Sequence, residues 1–176
     1  MGLLLIEQAF NGLQFGVMLF LIAAGLTLVF GIMDLVNLSH GSLVMVGAYL
    51  ATTLIEWTGS FILGILLALP STFLVGVAVE IVVLRTLYER DHLDQVLATF
   101  GLILFFNELI RIVWGPASLY SGLPESISGH VEILPGVPYP AFRLLIILVG
   151  LLVALLIYFI VARTKLGMLI LSLIHI

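Results

Sequence analysis

The sequence predicts an all-α, polytopic transmembrane helical bundle of about five spans, and three observations predict it. Uncharged runs cover 8–33, 35–55, 57–79 and 144–162, and a further segment, 95–114, is broken only by Glu108 and Arg111. A hydrocarbon core about 30 Å thick takes roughly 20 helical residues to cross. Composition agrees: 62% of the 176 residues are hydrophobic and 9% charged, against about 25% charged in a soluble domain. Finally, the runs are apolar on every face, which a surface helix of a soluble domain is not. Helices and closed barrels alone satisfy their own backbone groups in lipid.

Composition also excludes chemistry. The net charge of -4 is spread out with no basic cluster, so neither nucleic acid nor polybasic attraction to anionic lipid is expected. Cysteine is absent, which removes disulfides, thiolate catalysis and cysteine-based metal sites. His40, His92, His130 and His175 are too far apart for a metal pair at helical spacing, and no metal or cofactor is expected. Met1 to Gln8 holds no Lys or Arg and the first apolar run exceeds a signal-peptide core, so it reads as a retained span.

The spans are drawn at 9–32, 38–56, 61–84, 95–114 and 141–162. The first contains Gly12-Leu-Gln-Phe-Gly16 and then Gly25, Thr27 and Gly31, small residues that suit tight packing in a bundle. The second follows an unusually polar junction. The third carries Pro70 at mid-span, either a tolerated kink or a hinge. The fourth holds Glu108 and Arg111 at i, i+3, on one helix face beside Asn107. They form either a self-neutralising pair near the outer interface or a functional group facing a cavity. The fifth ends at Arg163-Thr164-Lys165.

Between the third and fourth spans lies the charged loop 85–94. The connection 115–140 contains Pro116, Pro124, Pro135, Pro138 and Pro140, two glutamates and no Lys or Arg. It is too long for a turn and reads as a folded or docking segment packed on the outer surface. Short basic loops stay in the cytoplasm. Arg85, Arg90, Arg163 and Lys165 share one side if the spans alternate, which places the N-terminus outside, 85–94 inside, 115–140 outside and 163–176 inside.

The junction Gly31-Ile-Met-Asp34-Leu-Val-Asn37-Leu-Ser39-His40-Gly41-Ser42 concentrates polar and small residues between two apolar runs. Asn37 and Ser39 are candidate N-caps for the second helix. Gly41 and Gly47 allow close approach of a neighbouring helix. A helix N-terminus at membrane depth presents donors and partial positive charge to a passing carboxylate. Two readings stand at this point: an interfacial cap, or a break lining a solute path. In either, His40 is a hydrogen-bonding partner rather than a catalyst.

Missing chemistry narrows the field further. No G-x-x-x-x-G-K-[ST] occurs, so this chain does not bind ATP through that phosphate loop. Ser39 and His40 are adjacent in sequence, where helical side chains point apart, and no G-x-S-x-G elbow is present.

Gly25-Leu-Thr-Leu-Val-Phe-Gly31, continuing to Asn37-Leu-Ser-His40-Gly41 and then Gly47-Ala-Tyr49, resembles the permease subunits of branched-chain amino-acid ABC importers. Ala98-Thr-Phe-Gly101-Leu with Asn107, and Arg163-Thr164-Lys-Leu-Gly167, resemble them at further places in the same order. The resemblance implies a non-enzymatic subunit of an importer in a bacterial inner membrane. Its implied partners are cytoplasmic ATPase subunits, a second permease and a periplasmic or extracellular solute-binding protein. The implied cargo is a branched-chain amino acid or a related small solute. Asn37, Ser39, His40, Gly41 and Asn107 would lie near the translocation path, and Arg163, Thr164 and Gly167 in the loop contacting the ATPase. The loop 115–140 would face the binding protein. Residues 1–176 would form a single permease domain incomplete at its C-terminus, with 163–176 opening the coupling loop. The apolar tail 168–176 departs from the family, which implies a fragment whose residues 171–176 are not native.

Two other classes stand beside this one. An ion-gradient-driven secondary transporter or channel-like protein would need an ionisable relay at mid-membrane, and Glu108 and Arg111 sit toward one end. An intramembrane hydrolase would have to use Ser39 and His40.

Overall fold

A computed structural model describes residues 2–117, 119, 122–134 and 137–164. Five long helices occupy the expected spans: α1 Gly2–Met33, α2 His40–Thr58, α3 Phe61–Val82, α4 His92–Trp114 and, after a short α5 (Glu125–Ser128), α6 Ala141–Arg163. Four of these, taken as Gly2–Gly31, Phe61–Val82, His92–Trp114 and Ala141–Arg163, are long and apolar enough to cross a membrane. The 22 residues of α3 alone extend about 33 Å. The fifth, α2, is the most diluted, by Ser42, Thr52, Thr53, Glu56 and Thr58. Large apolar side chains lie outermost on the helices, Phe73 being 70% exposed and Leu152 57%, as lipid-facing surfaces require. Together these features make the chain a multi-pass membrane protein.

The described residues form two compact units, 1–28 with 123–176, and 29–122. In the second unit α2 and α3 make an antiparallel pair joined by Gly59 and Ser60. Gly59 closes α2 at φ 63°, the left-handed conformation that glycine adopts without a Cβ penalty. The two helices touch most closely at Gly64, where an added Cβ would stand 2.6 Å from the Ile55 Cα. At Gly47 a Cβ would stand 3.1 Å from Thr72, as expected of a close-approach glycine. Leu35, Val46, Val79, Leu84, Leu87, Phe106 and Ile110 form the core of this unit. Trp114 ties α4 to α2 by donating Nε1–H to Thr53 Oγ1 at 2.7 Å while its ring meets Tyr49 at a centroid distance of 5.4 Å. Helix α3 continues through Pro70.

Among the described residues, strands occur in the first unit. Strands β1 His130–Leu134 and β2 Val137–Pro140 pair antiparallel within the 115–140 connection. Tyr139 on β2 is fully buried, its ring 5.6 Å from Phe10. Asn11 Oδ1 on α1 accepts from Tyr139 Oη at 3.1 Å and from Arg143 Nη1 at 2.7 Å. The described strands of the connection are therefore folded and held to α1 and α6. Gly150 of α6 packs directly on the Val17 side chain.

Three packing expectations need correction. Gly12 and Gly16 have open space where a Cβ would stand, so the G-x-x-x-G of α1 is not a helix contact among the described residues; Gly150 on α6 makes the close approach instead. Gly41 likewise faces open space, because it sits on the exposed side of the first turn of α2. Glu108 and Arg111 are both exposed, and among the described residues no ion pair joins them. The ion pair that is formed, Arg85 to Glu80 at 3.4 Å, lies where α3 ends.

Candidate functional site

The polar junction is a true break in the helices. Helix α1 closes with Asp34 N–H donating to Phe30 O at 2.9 Å, and Asp34 adopts φ 49°. Aspartate is one of the few non-glycine residues that visit this left-handed region, where α-helices commonly stop. The chain then runs without helical bonds until Ser39 O accepts from Leu43 N at 3.1 Å and α2 begins.

Within the break Asn37 is buried at 4% exposure and Ser39 at 0%, while Asp34 is exposed. Asn37 Oδ1 accepts from the Ser39 backbone N at 3.0 Å and from Ser39 Oγ at 2.7 Å. This is a local asparagine turn rather than a helix cap. Ser39 occupies the N-cap position of α2, yet its hydroxyl donates backward to Asn37 and accepts from no helical N–H. Capping by Ser39 was the wrong expectation, because the adjacent Asn37 carboxamide competes successfully for that hydroxyl. The Asn37 Nδ2 group makes no hydrogen bond among the described residues.

The break is held from outside by the first two turns of α4. Gln95 Oε1 accepts from Val36 N at 3.1 Å, and Gln95 Nε2 donates to Leu87 O and to Arg90 O, both at 3.2 Å. His92 Nδ1 lies 3.3 Å from the same Gln95 oxygen and donates when it carries the proton. The carboxamide fits one way round, since its oxygen meets an N–H and its nitrogen meets two carbonyls. One turn further on, Thr99 Oγ1 bonds to Gln95 O at 2.7 Å and stands 3.4 Å from Val36 O. Both backbone groups of Val36 thus face α4. Gln95 and Thr99 are 3% and 0% exposed.

Beneath this clamp a short 3-10 turn, Leu84–Leu87, connects α3 to α4. Leu84 and Leu87 bury their side chains in the core. Glu80 Oε1 accepts from Tyr88 Oη at 3.0 Å as well as pairing with Arg85. Partial burial, and then the neighbouring Glu80 carboxylate, hold the Tyr88 phenol above its ordinary value of 10.0, with Arg85 opposing.

Of the residues picked out from sequence, Asn37, Ser39, His40 and Gly41 come together at the break. His40 is half-buried as the first residue of α2, and Gly41 is exposed. Asn107 does not join them: it is exposed and lies roughly 18 Å further along α4 than Gln95, at 1.5 Å rise per residue. Arg163 is exposed at the end of α6 and Thr164 follows it as the C-cap, while Gly167 lies outside the described residues. Sequence reasoning missed Gln95 and Thr99. Their signal was a polar pair at i, i+4, one face of an otherwise apolar span.

The family described as branched-chain amino acid transport system / permease component matches residues 8–174. Among similar proteins, the high-affinity branched-chain amino acid transport system permease protein BraD of Pseudomonas aeruginosa is 28% identical over 175 residues. That alignment covers 92% of this chain and 56% of BraD. The permease proteins LivH of Escherichia coli K12 and of Salmonella typhimurium are each 27% identical. They cover 72% and 71% of this chain, and 45% and 43% of their own lengths. The chain thus spans about half the length of the curated relatives it matches. No solved structure matches it. These relatives are named as permease proteins of transport systems, not as enzymes. With a match running through every long helix and through the polar break, the chain belongs to the family of branched-chain amino acid transport system permease components.

Proposed function

We propose that this chain contributes the transmembrane path of an ATP-driven importer of branched-chain amino acids or related small solutes in a bacterial inner membrane. Separate ATPase subunits hydrolyse ATP, a second permease completes the path, and an external binding protein delivers the solute. The observation that carries the reading is the polar break at 34–39, with Asn37 and Ser39 buried, set between apolar helices of a permease-family chain. Polar backbone away from helices is tolerated at membrane depth where it faces protein or a watery cavity. Here Asn37 and Ser39 close on one another, which supports a seam shut in one state and opened in another, as alternating access requires. His40 and Gly41 flank that seam at the start of α2, and Asn107 lines the path at another depth.

On this reading the loop 85–94 and residues 163–176 face the cytoplasm and the N-terminus lies outside. Arg163, Thr164 and Gly167 begin the segment that contacts an ATPase. The connection 115–140 faces the binding protein. The test is reconstitution of the full-length permease with its ATPases in vesicles. Leucine delivered by the binding protein is expected to stimulate ATP turnover and to accumulate inside. No stimulation across a panel of amino acids, amides and urea removes the importer reading, and uptake driven by an ion gradient without ATP replaces it with a secondary transporter.

A further inference from the structure

We propose that Gln95 is a positioning residue that links the 84–90 turn to the 34–39 break, so that a displacement of the turn is delivered to the break. The inference rests on the reading of the break as part of the solute path. The link is one carboxamide. Its nitrogen holds the turn through Leu87 O and Arg90 O, and its oxygen holds the break through Val36 N. The residues bridged are 59 apart in sequence at Val36 and 8 and 5 apart at Leu87 and Arg90, so a single side chain hydrogen-bonds two backbone segments that otherwise meet through the apolar core of Leu35, Leu84 and Leu87.

Three features make this a link rather than general packing. First, Gln95 is 3% exposed, so a lost partner leaves a nearly buried polar group unpaired. Second, both nitrogen protons are engaged by carbonyls of the turn, so the turn cannot shift without moving the carboxamide or breaking its hydrogen bonds. Third, an open polar recess of about 310 Å³ lies beside Gln95, bordered by Asp34, Tyr88 and His92, and gives the turn room to move. Thr99 supports the same strand of backbone from one helical turn away, 3.4 Å from Val36 O. The break is thus gripped by α4 while the turn is gripped by the same side chain, and stiff helix between the two is not needed.

The test is a double-mutant cycle read by hydrogen exchange, in the full-length permease in lipid nanodiscs, with neither solute nor ATP present. Leu87→Ala disturbs the turn from its buried side. With Gln95 in place it is expected to raise exchange across 34–39 by about tenfold, the scale of one buried hydrogen bond. In a Gln95→Met background the same Leu87→Ala change is expected to alter exchange at 34–39 by less than about twofold, while 84–91 still responds. Gln95→Glu is the second background; it keeps an acceptor for Val36 N and loses both donors to the turn, so the response at 34–39 should vanish there too. A purely structural glutamine would loosen both segments equally and leave the Leu87→Ala effect unchanged in either background, and that result overturns the proposal. An undisturbed break in the Leu87→Ala single variant overturns it as well. So does failure of both position-95 variants to insert, since a positioning role must be separable from folding. Because the cycle requires no transport, loss of the importer reading and loss of this link are separate outcomes.

Discussion

The two compact units hold their non-helical segments in opposite ways. In the 29–122 unit, the break is bound by buried side chains to backbone groups, and its helices meet with glycine against backbone at Gly64. In the unit built from 1–28 and 123–176, the hairpin is bound by side chain to side chain through Asn11, and the helices meet with glycine against a side chain at Gly150. Backbone-to-backbone fits cannot relax by changing a rotamer, whereas side-chain contacts can. The difference teaches that the polar break sits in the less forgiving half of the packing, the place where a two-position device needs a stiff frame.

The largest effect that would sharpen this contrast is a paired glycine substitution. Gly64→Ala drives a methyl against the Ile55 backbone and is expected to cost about 3 kcal/mol, the upper part of the overpacking range. Gly150→Ala meets the Val17 side chain, which can shift, and is expected to cost about 1 kcal/mol. Unfolding of both variants in mixed detergent measures the gap. Equal losses would break the comparison.

Next comes Asn37→Leu, which strips both Ser39 N and Ser39 Oγ of their acceptor in a buried place, at an expected cost of about 2 kcal/mol. Solute-stimulated ATP turnover per inserted permease should fall further than the amount inserted. Parallel falls would reduce Asn37 to a folding role.

Asn11→Ala is milder. It removes the shared acceptor of buried Tyr139 and of exposed Arg143, for which water can substitute, and is expected to cost about 1 kcal/mol. Faster proteolysis confined to 123–140, with the 34–39 break unaffected, is the expected pattern.

The smallest effect is at Tyr88. Its phenol is held neutral above the ordinary value of 10.0, so its contribution to the turn is complete below that pH and is lost as pH climbs past the raised value. Alkaline difference spectra of Tyr88→Phe should lack a late-titrating phenol that the parent protein shows. A thermal midpoint that falls equally with pH in both proteins would refute the contribution of the turn.

How far the sequence carried is clearest at particular residues. The long helices were readable because each satisfies its own backbone, so length and apolarity suffice to specify them. The break was readable as a place, since Asp34, Asn37 and Ser39 interrupt two apolar runs. Its internal bonding was misread: Ser39 was expected to cap α2, and the outcome depended on which of two neighbouring polar groups took the hydroxyl. The 115–140 connection was recognised as folded, but its strands were not, because alternation is short there and prolines interrupt it.

Gln95 lay in plain view within an apolar span, yet nothing nearby in sequence named Val36 as its partner. Sequence alone therefore determined that this chain lives in lipid, where its helices lie and where they stop, because those features arise from contacts a few residues apart. The tertiary structure decided what holds the break: bonds from α4 reach back across 59 residues, and a long-range hydrogen bond exists only once packing has brought donor and acceptor within about 3 Å.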